Sequence, residues 1–168
     1  MLAISQADAR RDAAGVASFD LAELVDDAAA AIRSILHAMA TEVVAELSDA
    51  PQIWRGDAHK LDQCLRSALT AAAEFAARGA ITVRSLAVFD QGSPRLQIEI
   101  AATGEGLCAR EGEALGHELG PSALKLARDT ARMMGGDLKV CAEPKGARLL
   151  VRVPAEPVTA GPLEMTAA

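Results

Sequence analysis

Few side chains in this sequence stand at spacings that chemistry requires. Cys64, Cys108 and Cys141 lie far apart and form no Cys-x-x-Cys pair. They specify no zinc site and read as small buried hydrophobes of a reducing compartment. His37 sits beside an apolar stripe with no second ligand spaced to share a metal. His59 falls in the first turn of a predicted helix, where it is expected to be exposed. Ser67 and Thr70 have no neighbouring base and orienting group to make a nucleophile. Asp26-Asp27 and Glu111/Glu113 could work as an acid–base pair only with one member buried, and they read as solvated charges. Two features remain. Residues 103–120 hold five glycines among several acids, and Lys125, Arg128 and Arg132 recur on one helical face. That face is either solvated or a docking patch for an acidic partner.

The elements that must position these residues follow from periodicity. A first helix is predicted from Asp20, whose spacing to Glu23 suits a capping box with Phe19 as the staple. Its apolar stripe is Leu21, Val25, Ala28, Ile32, Ile35 and Met39. Thr41–Leu47 reads as a strand, and Ile53-Trp54 as a short extended piece. A second helix starts at the N-cap Asp57, buries Leu61, Leu65, Ala68, Ala72 and Phe75, and stops at Gly79 in the left-handed cap position. Ala80–Phe89 and the alternating run Leu96, Ile98, Ile100 are strands joined by the turn Asp90–Pro94. Pro121 is placed as a first helical residue, and Ser122–Met134 is the third helix, with Leu124, Ala127, Ala131 and Met134 inward and Gly135-Gly136 as its end. A closing hairpin turns at Pro144-Lys145-Gly146. This order predicts an α+β two-layer sandwich: one mixed, mostly antiparallel β-sheet packed on about three helices.

Composition bounds the function. The chain has 168 residues, enough for one core, and is 51% hydrophobic but only 2% aromatic, so that core is Ala, Leu, Val and Ile. A net charge of −6 argues against a general nucleic-acid surface. No apolar run approaches the ~20 residues of a membrane span, and the N-terminus lacks a signal-peptide pattern. The expected location is cytoplasmic. Residues 1–18 are expected to be a flexible arm, 19–154 the domain, and 155–168 a disordered tail.

Four motifs in this order resemble the catalytic ATP-binding domain of sensor histidine kinases, in the GHKL superfamily. FDLAELV resembles the opening of that domain, and GDAHKLDQCLRSALTAAAEFAARGAITV its asparagine-box helix and next strand. IEIAATGEGL resembles the first glycine box. GPSALKLARDTARMMGGDLKV with GARLLVRVP resembles the second glycine box, its helix and the closing hairpin. The resemblance implies a histidine-kinase ATPase-like fold and a place in two-component signalling. It also implies where nucleotide chemistry should sit, and there this sequence departs. The magnesium-ligating asparagine falls on Ala71, and the asparagine one turn earlier on Ser67. The aspartate that accepts from the adenine amino group falls on Ala102, although Thr103, Gly104 and Gly106 remain. The phosphate-cradling Gly-Leu-Gly-Leu reads Pro121-Ser122-Ala123-Leu124. Alanine offers a hard cation no oxygen, and proline offers a phosphate no amide hydrogen.

The expectation is therefore a degenerate domain: a non-catalytic pseudokinase-type regulatory or binding module of a phosphorelay, with no cofactor. Its expected partner is a histidine kinase or the carboxylate-rich receiver domain of a response regulator. Two alternatives stand beside it. One is an active kinase domain working on a separate protein, holding ATP and magnesium through substituted ligands such as Asp62, Gln63 or Glu74. The other is a relay protein similar to histidine phosphotransferases. His117 in Gly116–Pro121 resembles a phospho-acceptor box, but the proline comes one residue early and no helical hairpin is visible in the 18 residues before Phe19.

Overall fold

The computed structural model describes residues 16–47, 51–104 and 122–158. Its elements are β1 (Val16–Asp20), α1 (Leu21–Ala31), α2 (Arg33–Ala38), β2 (Glu42–Glu46), β3 (Ile53–Asp57), α3 (Ala58–Phe75), β4 (Ala80–Asp90), β5 (Ser93–Thr103), α4 (Ser122–Met133), β6 (Asp137–Glu143), β7 (Gly146–Pro154) and β8 (Glu156–Pro157). The main sheet runs β2-β4-β5-β7-β6, parallel between β2 and β4 and antiparallel elsewhere. The helices pack on one face of it, as the α+β sandwich requires. A second, antiparallel sheet, β1-β3-β8, was not foreseen. It includes Val16–Ser18, which the sequence placed in the arm, and Glu156-Pro157, placed in the tail, which pair with Trp54 and Arg55. These pairings join segments far apart in sequence, so no local pattern announces them.

Alternation sorts the sheet residues. Ile81 and Val83, Leu96, Ile98 and Ile100, and Leu149, Val151 and Val153 are fully buried against the helices. The opposite, open face carries ion pairs and amide contacts instead: Arg84–Glu46 at 2.9 Å, Arg148 to Glu99 and Glu143 at 3.1 Å each, and Arg152 to Gln97 at 2.7 Å. The β4–β5 turn places Gln91 at φ 51° and Gly92 at φ 84°, the twist that a two-residue hairpin needs.

Local capping holds as read. Asp20 accepts from the Glu23 amide at 3.2 Å and Asp57 from the Lys60 amide at 3.1 Å. Two helix readings change. The first helix breaks at Ile32 (φ −109°, ψ 20°) and restarts as α2, so Leu36 is buried and Ile35 is exposed. The break resets the helical phase by one residue. The second helix ends before Gly79: Arg78 takes the left-handed conformation (φ 62°), and its amide donates to Met39 oxygen at 2.9 Å. Gly79 is needed for proximity instead, because a Cβ there would lie 1.8 Å from the Thr103 carbonyl oxygen.

The helical layer is built from small residues. α3 buries Leu61, Cys64, Leu65, Ala68, Leu69, Ala71, Ala72, Ala73 and Phe75. α4 meets it with Leu124, Ala127 and Ala131. The Cys64 thiol donates to the Ala127 carbonyl at 3.4 Å, which ties the two helices together, and burial pushes that thiol up to about 12.

Two outcomes follow. Gly79→Ala should cost about 2–4 kcal/mol in urea unfolding, whereas Gly92→Ala, strained at φ 84° but with open space around it, should cost about 1–2 kcal/mol. Equal costs would remove close approach as the reason for Gly79. Cys64 concerns alkaline stability. Its thiol stays protonated in the fold while the unfolded thiol ionises from 9.0 upward. Stability should therefore fall between pH 9.0 and about 12, by up to about 1.4 kcal/mol per pH unit from this group. Cys64→Ala should show a shallower slope over that range, and parallel slopes would refute the burial of the thiol.

Candidate functional site

The candidate site is the seam where α3 and α4 lie side by side on the main sheet. Cys64, Ala68 and Ala71 are spaced four and three residues apart, so they form one stripe of α3. The Cys64–Ala127 contact shows that this stripe faces α4. Ala71, matched to the metal-ligating position, is fully buried. Ser67, one turn earlier, is half-buried and shares a shallow cavity of about 290 Å³ with Arg66, Thr70, Ala123 and Leu126. Two of those walls are already engaged: Thr70 Oγ1 donates to the Arg66 carbonyl at 2.7 Å, and Arg66 pairs with Asp62 at 2.9 Å.

The strand side of the site lies apart from this groove. Ala102 points into the helical layer and is buried, between Ile81 of β4 and Ala147 of β7. Thr103 is exposed, with its hydroxyl 3.5 Å from the Ala80 carbonyl. Ala102 and Thr103 line a different cavity, of about 310 Å³, with Lys145 and Arg148 at the β6–β7 turn. Gly104 donates to the Lys145 carbonyl at 3.1 Å. A Cβ on Gly104 would come within 2.7 Å of the Ala76 carbonyl. Helix–strand packing alone therefore accounts for this glycine. Ser122 is the first residue of α4. Gly106, Cys108, Glu111, Glu113, His117, Pro121 and the leucines Leu107, Leu115 and Leu119 lie outside the described residues.

The polar residues weighed as substitute ligands do not converge. Asp62 is held by Arg66, and Gln63 is exposed with Nε2 3.2 Å from His59 Nε2. Partial burial shifts the Glu74 carboxyl upward from its ordinary value. Among the described residues, no three His, Cys, Asp or Glu side chains come together as a metal site would need. Among the described residues that line the groove, Ser67 offers the one side-chain hydroxyl not already engaged, and none is a carboxylate.

The basic face of α4 is only partly free. Lys125 is exposed and Arg128 half-buried, while Arg132 pairs with Asp137 at 3.4 Å. Asp129 lies exposed between them. What the sequence reading missed is apolar: Leu126 is 57% exposed and Met133 69%, one above the other on α4. The signal was available, since both fall off the buried stripe of Leu124, Ala127 and Ala131.

Among the described residues, no helix is long and apolar enough to cross a membrane. No family model matches the sequence, and no curated protein does. Solved structures do match. The fold superposes on full-length ShkA, determined in complex with AMPPNP, with a TM-score of 0.66 at 24% identity, over 87% of this chain and 32% of that one. This chain therefore spans less than a third of ShkA. The nucleotide-free catalytic domain of the histidine kinase ThkA matches with a TM-score of 0.65 at 15% identity, over 83% of this chain and 95% of that one. The ATP binding domain of PrrB from Mycobacterium tuberculosis matches with a TM-score of 0.59 at 22% identity, over 86% and 99%. The chain has the fold of the catalytic, ATP-binding domains of histidine kinases.

Proposed function

We propose that this domain is a non-catalytic protein-binding module of two-component signalling, which keeps the kinase fold but does not hold Mg-ATP. The observation that carries the reading is the burial of Ala71 and Ala102 at the positions matched to the metal ligand and the adenine acceptor. Neither methyl group can ligate or accept. A hydrogen bond to a charged group contributes about 1.5–3 kcal/mol net, so losing metal ligand, adenine acceptor and phosphate amides together forfeits about 5–8 kcal/mol. Micromolar binding is only about −8 kcal/mol at the outset. The Ala123 methyl adds bulk on the α4 side of the groove, where the family's second glycine would sit.

The exposed face of α4 supports the binding half of the proposal. Lys125 and Arg128 flank Leu126, and Met133 continues the apolar row. A partner with an apolar centre and an acidic rim suits it, such as a receiver domain or a histidine kinase.

Calorimetry and thermal shift with Mg-ATP up to about 1 mM should show no binding, whereas a Kd tighter than about 100 μM would establish the active-kinase alternative. For the partner, receiver and kinase domains from the source genome should be titrated against the intact protein and against Lys125→Glu/Arg128→Glu. The double variant should bind about tenfold more weakly at low salt, with the gap closing as salt rises. Unchanged affinity would place the interface elsewhere.

A further inference from the structure

On the open face of the sheet, away from the nucleotide-type seam, β5, β6, β7 and the α4–β6 turn surround a cavity of about 370 Å³. Three cations line it: Arg95, Lys139 and Arg152. Their partners are unusual. Arg95 Nη1 donates to the Gly135 carbonyl at 3.0 Å, and its Nε is buried without a hydrogen-bond acceptor, 3.6 Å from the Asp90 carboxylate. Arg152 donates through both Nε and Nη2, at 3.2 and 2.7 Å, to one neutral oxygen, Gln97 Oε1. Lys139 is exposed and has no ion-pair or hydrogen-bond partner among the described residues. Of the two carboxylates at the rim, Asp137 is already engaged by Arg132 at 3.4 Å.

We propose that this cavity is a binding site for a small phosphate-type dianion. Arg152, held by a neutral amide oxygen, keeps its full charge, and Arg95, oriented by the Gly135 carbonyl and paired with Asp90 at 3.6 Å, retains a buried N–H with no acceptor. Such donors match the oxygens of a dianion better than those of the water they would replace. The unpaired Lys139 ammonium supplies the point charge, and Leu150 supplies an apolar surface for a ligand's organic part. Gly136 shapes the wall by necessity: a Cβ there would lie 2.1 Å from the Arg152 carbonyl oxygen, so the turn sits directly against the strand that carries the arginine. On the helical side, the described residues lining the groove between α3 and α4 include one cation, Arg66, already paired with Asp62.

The test is nitrogen-15 NMR titration of the whole protein with inorganic phosphate, against chloride at matched ionic strength. Saturable shifts at Arg95, Gly135, Gly136 and Lys139 are expected, with a Kd of order 1 mM. Lys139→Gln, a surface change with no partner to lose, should raise the Kd about threefold or more, and Lys139→Gln/Arg152→Gln should abolish saturation. Lys60→Gln, on α3, should leave it unchanged. Overturning results are shifts no larger than with chloride, saturation elsewhere on the molecule, or equal affinity in Lys139→Gln. Repeating the titration with a phosphomonoester and with a dicarboxylate separates ligand sources: phosphate-type selectivity supports the assignment, and equal dicarboxylate binding refutes it.

Discussion

The closeness of α3 to α4 and to the strands beneath governs this molecule. With three phenylalanines, one tryptophan and no tyrosine, the core has few large wedges to hold its layers apart. Alanines on facing helices let backbones approach until a thiol on one reaches a carbonyl on the other. Each methyl contributes little, about 0.8 kcal/mol per buried CH₂-sized group, so the layer gains by number and by density of contact. The same closeness sets the demand for glycine where a helix end crosses a strand end. Gly79 and Gly104 meet at the close of α3 and of β5, and neither position leaves space for a Cβ.

That demand explains which parts of the structure could be read in advance. Stripes of three-and-four or two-residue period are local, and they placed α3, α4 and the four antiparallel strands of the main sheet close to where they lie. Asp20 and Asp57 gave helix starts because a cap acts within three residues. Gly79 misled for the opposite reason. Its role depends on Thr103, 24 positions away by subtraction of the two numbers, and nothing nearby distinguishes a glycine kept for clearance from one kept for backbone angle. Arg78 then takes the left-handed turn, its amide bonded to Met39. Ile35 and Leu36 exchanged roles because a single non-helical residue, Ile32, shifts the phase. Of the site, the absence of a side-chain oxygen at Ala71 and Ala102 was legible as residue type. That Ser67 and Ala102 border separate cavities was not, since it depends on where β5 and β7 pass beneath the helices.

The two faces of the main sheet divide the labour. One is alkyl apart from the buried Ser85 and accounts for folding. The other is a lattice of arginines with carboxylates and amides, each pair worth about 0–1 kcal/mol at the surface. Such a face contributes little to stability, which leaves its charges free to be arranged for recognition. The polar groups of the main sheet thus gather on the side away from the helices.

The small sheet bears on how force and motion pass through the domain. β3 is antiparallel to both β1 and β8, so those two run parallel to each other with β3 as the bar between them. The chain therefore arrives before Val16 and departs after Val158 at opposite ends of the same clasp, where the Val158 amide is anchored on the Ile53 carbonyl at 2.8 Å. A pull that separates the two flanking segments loads these hydrogen bonds in shear, all at once, instead of unzipping them singly.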